Sequence, residues 1–160
     1  MTYKIISPDK CDNSQLQAFY DLVVSGGQVM VEGLADKIKA ADFLSFCEID
    51  SEIVGVASIK NPNPNYKNRV FKKANVEKSA DAYDFEIGYA VTKKEHRGKG
   101  ISQKLIKILM ENSNSKSFYA TTKVDRMRHI LSKIGFKKFG DNYQNDNKES
   151  ITLYNYDEKK

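Results

Sequence analysis

Hydrophobic and polar positions along the chain follow two periods. Between residues 85 and 91 apolar side chains occupy every second position, which predicts a strand with one buried face. From residue 101 onward they recur every third or fourth position, at Ile101, Leu105, Ile108 and Leu109, as on one face of a helix. The same reading predicts strands at 3–7, 43–49, 53–59, 119–122, 136–139 and 150–156, and helices at 33–41, 67–75 and 125–134. Another helix begins at a cap on Asn13 or Ser14 and ends at Gly26.

These elements predict a mixed α/β fold in the order β-α-α-β-β-β-α-β-α-β-β. The candidate short helix at 67–75 belongs to a long connection at residues 61–80 and is not counted in this order. The chain has 160 residues, enough for one hydrophobic core, and contains no linker, repeat or low-complexity stretch. We therefore expect a single domain over residues 1–160.

A glycine turn lies between the strand at residue 85 and the helix at residue 101, with the sequence His96-Arg97-Gly98-Lys99-Gly100. Such a turn presents unpaired N–H groups and the positive end of the helix dipole, which predicts an anion site suited to pyrophosphate. Basic residues surround it, namely Lys93, Lys94, Arg97, Lys99 and Lys104. A nucleoside triphosphate loop is excluded because no Lys-Ser/Thr follows Gly100. A dinucleotide fingerprint is excluded because Gln103 stands where it needs a third glycine.

Residues 95–100 resemble motif A of the GNAT acyltransferase superfamily, Gln/Arg-x-x-Gly-x-Gly/Ala, with Glu95 departing at the first position. The strand at 119–122, the helix at 125–134 and the ending Ile134-Gly135-Phe136 resemble its second coenzyme A unit. The resemblance implies the N-acyltransferase fold and acetyl-CoA as acyl donor. It implies pantetheine contacts at the backbone of Ala90, Val91 and Thr92, and pyrophosphate contacts at Arg97, Gly98, Lys99, Gly100, Ile101 and Ser102.

The resemblance also proposes roles for single side chains. Glu86 is the one acid inside the strand, and it is either a base or water anchor, an acceptor-orienting group, or structural. Leu131 stands where many members have a tyrosine acid, so we expect it to be an apolar lining beside the cofactor. Asp125 lies where an asparagine often bonds pantetheine, and is equally a helix cap. Tyr89, Tyr119 and Tyr143 are candidate acids from composition only.

Residues 54–73 also resemble a subset of uncharacterised bacterial GNAT proteins. The resemblance places the insertion at 61–80 near the acceptor, and Lys60, Tyr66 and Lys73 could line the acceptor cleft or be ordinary loop residues. Tyr143 is a further candidate acceptor-binding residue.

Composition and net charge disfavour several other classes of function. The net charge is +5, but no nucleic-acid recognition signature accompanies it, so a nucleic-acid partner is disfavoured. No signal peptide, membrane span or metal-ligand spacing is evident, and Cys11 and Cys47 imply no disulfide framework, so we expect a cytoplasmic protein without a metal.

We therefore expect an acetyl-CoA-dependent N-acetyltransferase acting by direct transfer on a small-molecule, peptide or protein amine, with a homodimer left open. The alternatives are a catalytically degenerate coenzyme A-binding module and a transferase acting on an RNA-borne or protein amine.

Overall fold

A computed structural model describes residues 1–27 and 29–158. In chain order the elements are β1 Thr2–Ile6, α1 Asn13–Ser25, α2 Leu34–Lys39, β2 Phe43–Ile49, β3 Glu52–Lys60, α3 Pro64–Lys73, β4 Phe85–Thr92, α4 Ile101–Asn112, β5 Ser117–Thr122, α5 Asp125–Ile134, β6 Lys137–Lys138, β7 Tyr143–Gln144 and β8 Ser150–Asp157. Short 3-10 turns cover Pro8–Lys10, Glu77–Ala82 and Lys94–His96.

The described chain divides into two compact units. Unit 1 contains Met1–Lys60 and Ile87–Ser113, and unit 2 contains Asn61–Glu86 and the described residues from Asn114 onward. The strand β4 therefore gives its first two residues to unit 2 and the rest to unit 1. The expectation of one domain over residues 1–160 stays a prediction.

Unit 1 is built on antiparallel β1, β2 and β3, with β4 next to β3 in the sheet. Strands β2 and β3 form a hairpin: Asp50 and Ser51 both have positive φ, at 52° and 65°, which suits the right-handed twist of the two strands. Helices α1 and α2 cover a core of apolar side chains that includes Phe19, Leu34 and Phe46.

The first helix begins one residue earlier than its predicted caps allow. Asp12 is the N-cap: its Oδ1 accepts from the Gln15 N–H at 2.7 Å, and the Gln15 Oε1 accepts from the Asp12 N–H at 2.9 Å. This reciprocal capping box satisfies two end groups of the helix at once. The predicted cap at Asn13 or Ser14 was therefore wrong, and the reason is the glutamine three residues after Asp12.

Unit 2 pairs β5 with β8 antiparallel, and β8 also pairs with β6 and β7. The start of β4 runs parallel to β5, with Phe85 opposite Phe118 and Glu86 opposite Tyr119. Its core combines Val70 and Phe71 of α3 with Tyr83, Tyr119 and Leu153.

The connection predicted to be irregular is largely ordered. Helix α3 begins at Pro64, three residues before its predicted start, because the Asn63 side chain accepts from the Asn65 N–H at 2.8 Å and proline suits the first helical position. The short strand β7, which the polar composition of residues 140–149 concealed, pairs Tyr143 with Ile151. The mixed α/β class is confirmed, with α3 and β7 added to the predicted order.

A close backbone approach anchors the end of α3 in unit 2. The Asp141 N–H donates to the Ala74 carbonyl at 2.8 Å, and the Asn75 amide donates to the Asp141 carboxylate at 2.8 Å. A Cβ at Gly140 would lie 2.3 Å from the Ala74 oxygen, and Gly140 has a φ of 72°. Only glycine fits this position.

We expect Gly140→Ala to destabilise the protein more than Gly33→Ala. Gly33 has nearly the same φ, 71°, but a Cβ added there would meet nothing within 4 Å. The control should lose about 1–2 kcal/mol of unfolding free energy for the left-handed alanine, and Gly140→Ala about 1–3 kcal/mol more for the clash. Urea unfolding of both variants measures the difference, and equal losses would contradict the close approach.

Candidate functional site

The glycine turn before α4 has an open outer side. Gly98 and Gly100 have φ values of 82° and 77°, a region that favours glycine, and Gly100 is the N-cap of α4. A Cβ built on either glycine meets nothing within 4 Å. The backbone conformation therefore requires these glycines, and the space beside them is free for a ligand.

The first turn of α4 presents the donors that an anion needs. The Lys104 N–H donates to the Gly100 carbonyl at 3.0 Å and closes the first helical turn. The N–H groups before it, at Ile101, Ser102 and Gln103, are those that a helix start leaves without intrahelical acceptors. With the dipole of a 12-residue helix behind them, they fit the pyrophosphate expected from the sequence.

Side chains fix this turn against the end of β4. The hydroxyls of Thr92 and Ser102 are 2.7 Å apart and both are buried. The Arg97 Nε donates to the Thr92 carbonyl at 3.2 Å. Thr92, Arg97 and Ser102 thus hold the turn in shape, and the Thr92 carbonyl predicted to contact pantetheine already accepts from Arg97.

The positive charge around the turn is partly compensated. Lys93 forms a hydrogen-bonded ion pair with Glu52, and this bond lowers the pKa of the Glu52 carboxyl. The Lys99 Nζ lies 3.4 Å from the His96 Nδ1. The field that an anion meets is therefore smaller than five basic residues alone would produce.

The middle of β4 departs from a regular strand. Tyr89 has a φ of 53°, which is strained for a residue with a side chain. At Gly88 an added Cβ would lie 2.5 Å from the Lys60 Cδ, so the missing side chain makes room for the Lys60 stem. The Lys60 ammonium then lies 4.4 Å from the centre of the Tyr89 ring. Ala90 and Val91, the remaining predicted pantetheine contacts, follow this interruption and are half-buried.

Unit 2 contains a buried carboxylate beside a buried tyrosine. Glu86 is 3% exposed and Tyr119 is fully buried. The Tyr119 hydroxyl donates to the Glu86 Oε1 at 3.4 Å, across the parallel pair that aligns these two residues. Burial, and then the Glu86 charge, raise the pKa of Tyr119 far above its ordinary value. Tyr119 is therefore a neutral hydrogen-bond donor at any physiological pH.

Two predicted acceptor residues belong to the same cluster. Burial, followed by the Glu86 charge, raises the pKa of Tyr143 to about 12. Tyr66 is close enough to contribute to the raised pKa of Tyr119, and it packs against the core of unit 2. Phe71 supports the group, with its ring centre 5.2 Å from that of Tyr119. The structure thus brings Glu86, Tyr66 and Tyr143 together around Tyr119.

The two predicted contacts on α5 differ in their surroundings. Asp125 has a side chain that is 97% exposed and pairs with the Arg128 Nη1 at 2.7 Å. The N-cap of α5 is Val124, so the predicted cap role of Asp125 was wrong. Leu131 is 1% exposed, and its carbonyl accepts from the N–H groups of Gly135 and Phe136.

Sequence reasoning did not single out Tyr119 from the other tyrosines. Its importance comes from the register that sets it opposite Glu86, 33 positions away in the chain. The sequence would have indicated Tyr119 only if the parallel register between the tyrosine strand and the glutamate strand had been known. That register is set by tertiary structure and not by local sequence.

In the described ranges 1–27 and 29–158, no helix combines the length and apolar character that crossing a bilayer requires. The same ranges contain no group of three or more His, Cys, Asp or Glu side chains that could hold a metal ion.

Comparison with known proteins supplies a family and a set of related folds. The sequence model of the acetyltransferase (GNAT) family matches residues 12–136. A search of curated protein sequences gave no significant match.

Solved structures share the fold at low sequence identity. Escherichia coli ElaA has a TM-score of 0.68 at 16% identity, over 98% of this chain and 99% of that chain. An aminoglycoside 6'-acetyltransferase type Ii has a TM-score of 0.68 at 14% identity, over 98% and 97% of the two chains. The putative acetyltransferase yncA of Salmonella typhimurium, solved with acetyl-CoA, has a TM-score of 0.64 at 13% identity, over 100% and 95%.

We expect Tyr143→Phe to change how stability depends on alkaline pH. The folded-state pKa of about 12 exceeds the ordinary 10.0, so the unfolded chain loses this proton first as pH rises. The stabilising contribution is complete below pH 10.0 and is lost as pH approaches about 12. Urea unfolding on both sides of pH 10.0 should show a shallower decline for the variant than for the wild type, and identical declines would contradict the burial of this hydroxyl.

Proposed function

Because this chain belongs to the GNAT acetyltransferase family, we propose that it transfers an acetyl group from acetyl-CoA directly to an amine. The observation that carries this proposal is the open, left-handed glycine turn at the N-terminus of α4. A structural neighbour solved with acetyl-CoA supports the donor, and a neighbour named as an aminoglycoside acetyltransferase supports an amine acceptor.

The chain's own groups account for donor binding. The N–H groups of Gly98, Lys99, Gly100, Ile101 and Ser102 are our candidate donors to the pyrophosphate, since they lie at the open glycine turn and the start of α4. Acetyl-CoA supplies an activated thioester. Orientation by the protein can therefore account for much of the rate.

Glu86 is our candidate for proton transfer on the acceptor side. An acceptor amine is protonated at neutral pH and must lose a proton before its nitrogen can attack the thioester carbonyl carbon. The Glu86 carboxylate would take that proton, either directly or through a water, while the Tyr119 hydroxyl holds its orientation. The C–N bond forms as the C–S bond breaks, and the sulfur leaves with the electron pair.

Two other roles for Glu86 remain open to the same experiment. The carboxylate can orient the acceptor's ammonium group, or it can serve the packing of unit 2 alone. We also keep the coenzyme A-binding module without catalysis as the second candidate function, because the buried Leu131 provides no acid where many family members have one. Residence in the cytoplasm and assembly as a homodimer stay predictions.

We expect Gly100→Val to weaken acetyl-CoA binding by roughly 100-fold or more, because the side chain would fill the space that the pyrophosphate needs. Isothermal titration calorimetry measures the affinity, and circular dichroism checks the fold. Gly33→Val is the matched control: Gly33 is also a helix N-cap with a φ of 71° and open space around its Cβ. Equal affinities of both variants and the wild type would refute the site.

We expect Glu86→Gln to lower turnover by roughly 100-fold, in the range measured for general bases, with acetyl-CoA affinity unchanged. Thiol release with an amine library measures turnover. Glu48→Gln, a glutamate on β2 that pairs with Lys4, is the control and should keep its rate.

The other outcomes separate the remaining roles of Glu86. A raised KM for the amine at constant kcat would assign Glu86 to acceptor orientation. A lowered Tm with unaltered kinetics of the folded fraction would make it structural. An absence of thiol release with every amine, together with intact acetyl-CoA binding, would favour the binding module.

A further inference from the structure

A surface depression lies on the outer face of α3 in unit 2. It has a volume of 480 Å³ and is lined by Asn68, Arg69, Lys72, Glu77 and Lys78. We propose that this depression binds a phosphate monoester. This binding can be tested without any turnover.

The basic residues of this region fall into two groups. Lys67 donates through its Nζ to the Tyr83 carbonyl at 3.0 Å, and the Lys73 ammonium lies 5.8 Å from the centre of the Tyr143 ring. Lys67 and Lys73 therefore interact with Tyr83 and Tyr143 of unit 2 and do not line the depression. Arg69, Lys72 and Lys78 face the depression instead, and none of them forms an ion pair with a residue in the described part of the chain.

Helical spacing keeps the two functions of α3 separate. Asn68 and Lys72 are four residues apart, so their side chains lie one above the other, with Arg69 beside them. Val70 and Phe71 are buried in the core of unit 2, as is Ala74 just after the helix. The polar residues are therefore not needed to form the core, and their positions on the outer face are available for a ligand.

The chemistry of the lining favours one phosphate over a polyanion. Arginine presents a planar set of donors that matches phosphate oxygens, and lysine adds a point charge. Three cations and the Glu77 carboxylate leave a formal charge of +2. Glu77 would repel a second anionic group but accept from a hydroxyl or an amine. The volume lies within about 300–1,000 Å³, the range of small-molecule sites.

We would titrate the full chain, saturated with acetyl-CoA so that the α4 turn is occupied, with inorganic phosphate, adenosine monophosphate, glutamate and a short RNA. Nuclear magnetic resonance of the Asn68 and Arg69 side-chain N–H groups reports binding at the depression. Lys72→Gln/Lys78→Gln removes two of its cations. Lys37→Gln/Lys39→Gln, two exposed lysines of α2, removes the same charge elsewhere.

We expect adenosine monophosphate and phosphate to shift both resonances, and glutamate not to do so. Lys72→Gln/Lys78→Gln should weaken this binding by roughly tenfold or more, since it removes two of the three cations that line the depression. The α2 variant should bind as the wild type does. RNA that binds at the same residues much more tightly than the monophosphate would overturn the proposal, because it would show that the depression takes a polynucleotide and not a phosphate monoester.

Three further results would also overturn the proposal: no shift with any phosphate, an equal response to glutamate, or equal losses in both double variants. Acetyl-CoA affinity, measured on the same variants, distinguishes this failure from that of the proposed function. It should be unchanged in Lys72→Gln/Lys78→Gln and lost in Gly100→Val.

Discussion

The backbone of β4 at Gly88 and Tyr89 is the constraint on which the candidate site depends. Tyr89 has a φ of 53°, a strain of about 1–3 kcal/mol that persists only where surrounding contacts enforce it. Phe19 packs edge-on against its ring, the Lys60 ammonium lies over that ring, and the Ser58 hydroxyl donates to the Gly88 carbonyl at 2.9 Å. A side chain at Gly88 would displace the Lys60 stem. These contacts together fix the strand that leads into the glycine turn.

Unit 2 is constrained by a different feature, the buried side chain of Glu86. A buried charge is costly unless it receives hydrogen bonds. The Tyr119 hydroxyl is one group that satisfies Glu86, and Phe71 holds Tyr119 by an edge contact while stacking on Tyr83. Tyr83 in turn donates to Asp157 at 2.6 Å. The aromatic core of this unit thus serves to position polar groups as well as to exclude water.

Sequence periodicity correctly predicted elements whose formation depends on residues close together in the chain. The predicted bounds of β2 and α5 agree with the structure, and the glycine turn lies where its two glycines placed it. Two errors arose at helix starts, where the pattern did not identify the caps Asp12 and Asn63. The other features that the pattern missed depend on how strands pair. Strand β7 exists because Tyr143 pairs with Ile151, and Tyr119 meets Glu86 through a register that no local pattern encodes. The left-handed Tyr89 was equally invisible, since tyrosine does not favour that conformation.

The departure at Leu131 is consistent with catalysis once the tyrosines of unit 2 are considered. Leu131 is buried, and its backbone ends α5 by accepting two hydrogen bonds, so this position serves the fold. The raised pKa values of Tyr119 and Tyr143 make both hydroxyls weaker acids than an ordinary tyrosine, and the Tyr119 hydroxyl donates a hydrogen bond to Glu86. A thiol has a pKa of about 8.5, far below that of an alcohol, so a thiolate leaves readily without prior protonation. In the proposed reaction, the proton that must be moved is the one on the amine, and Glu86 is our candidate to receive it.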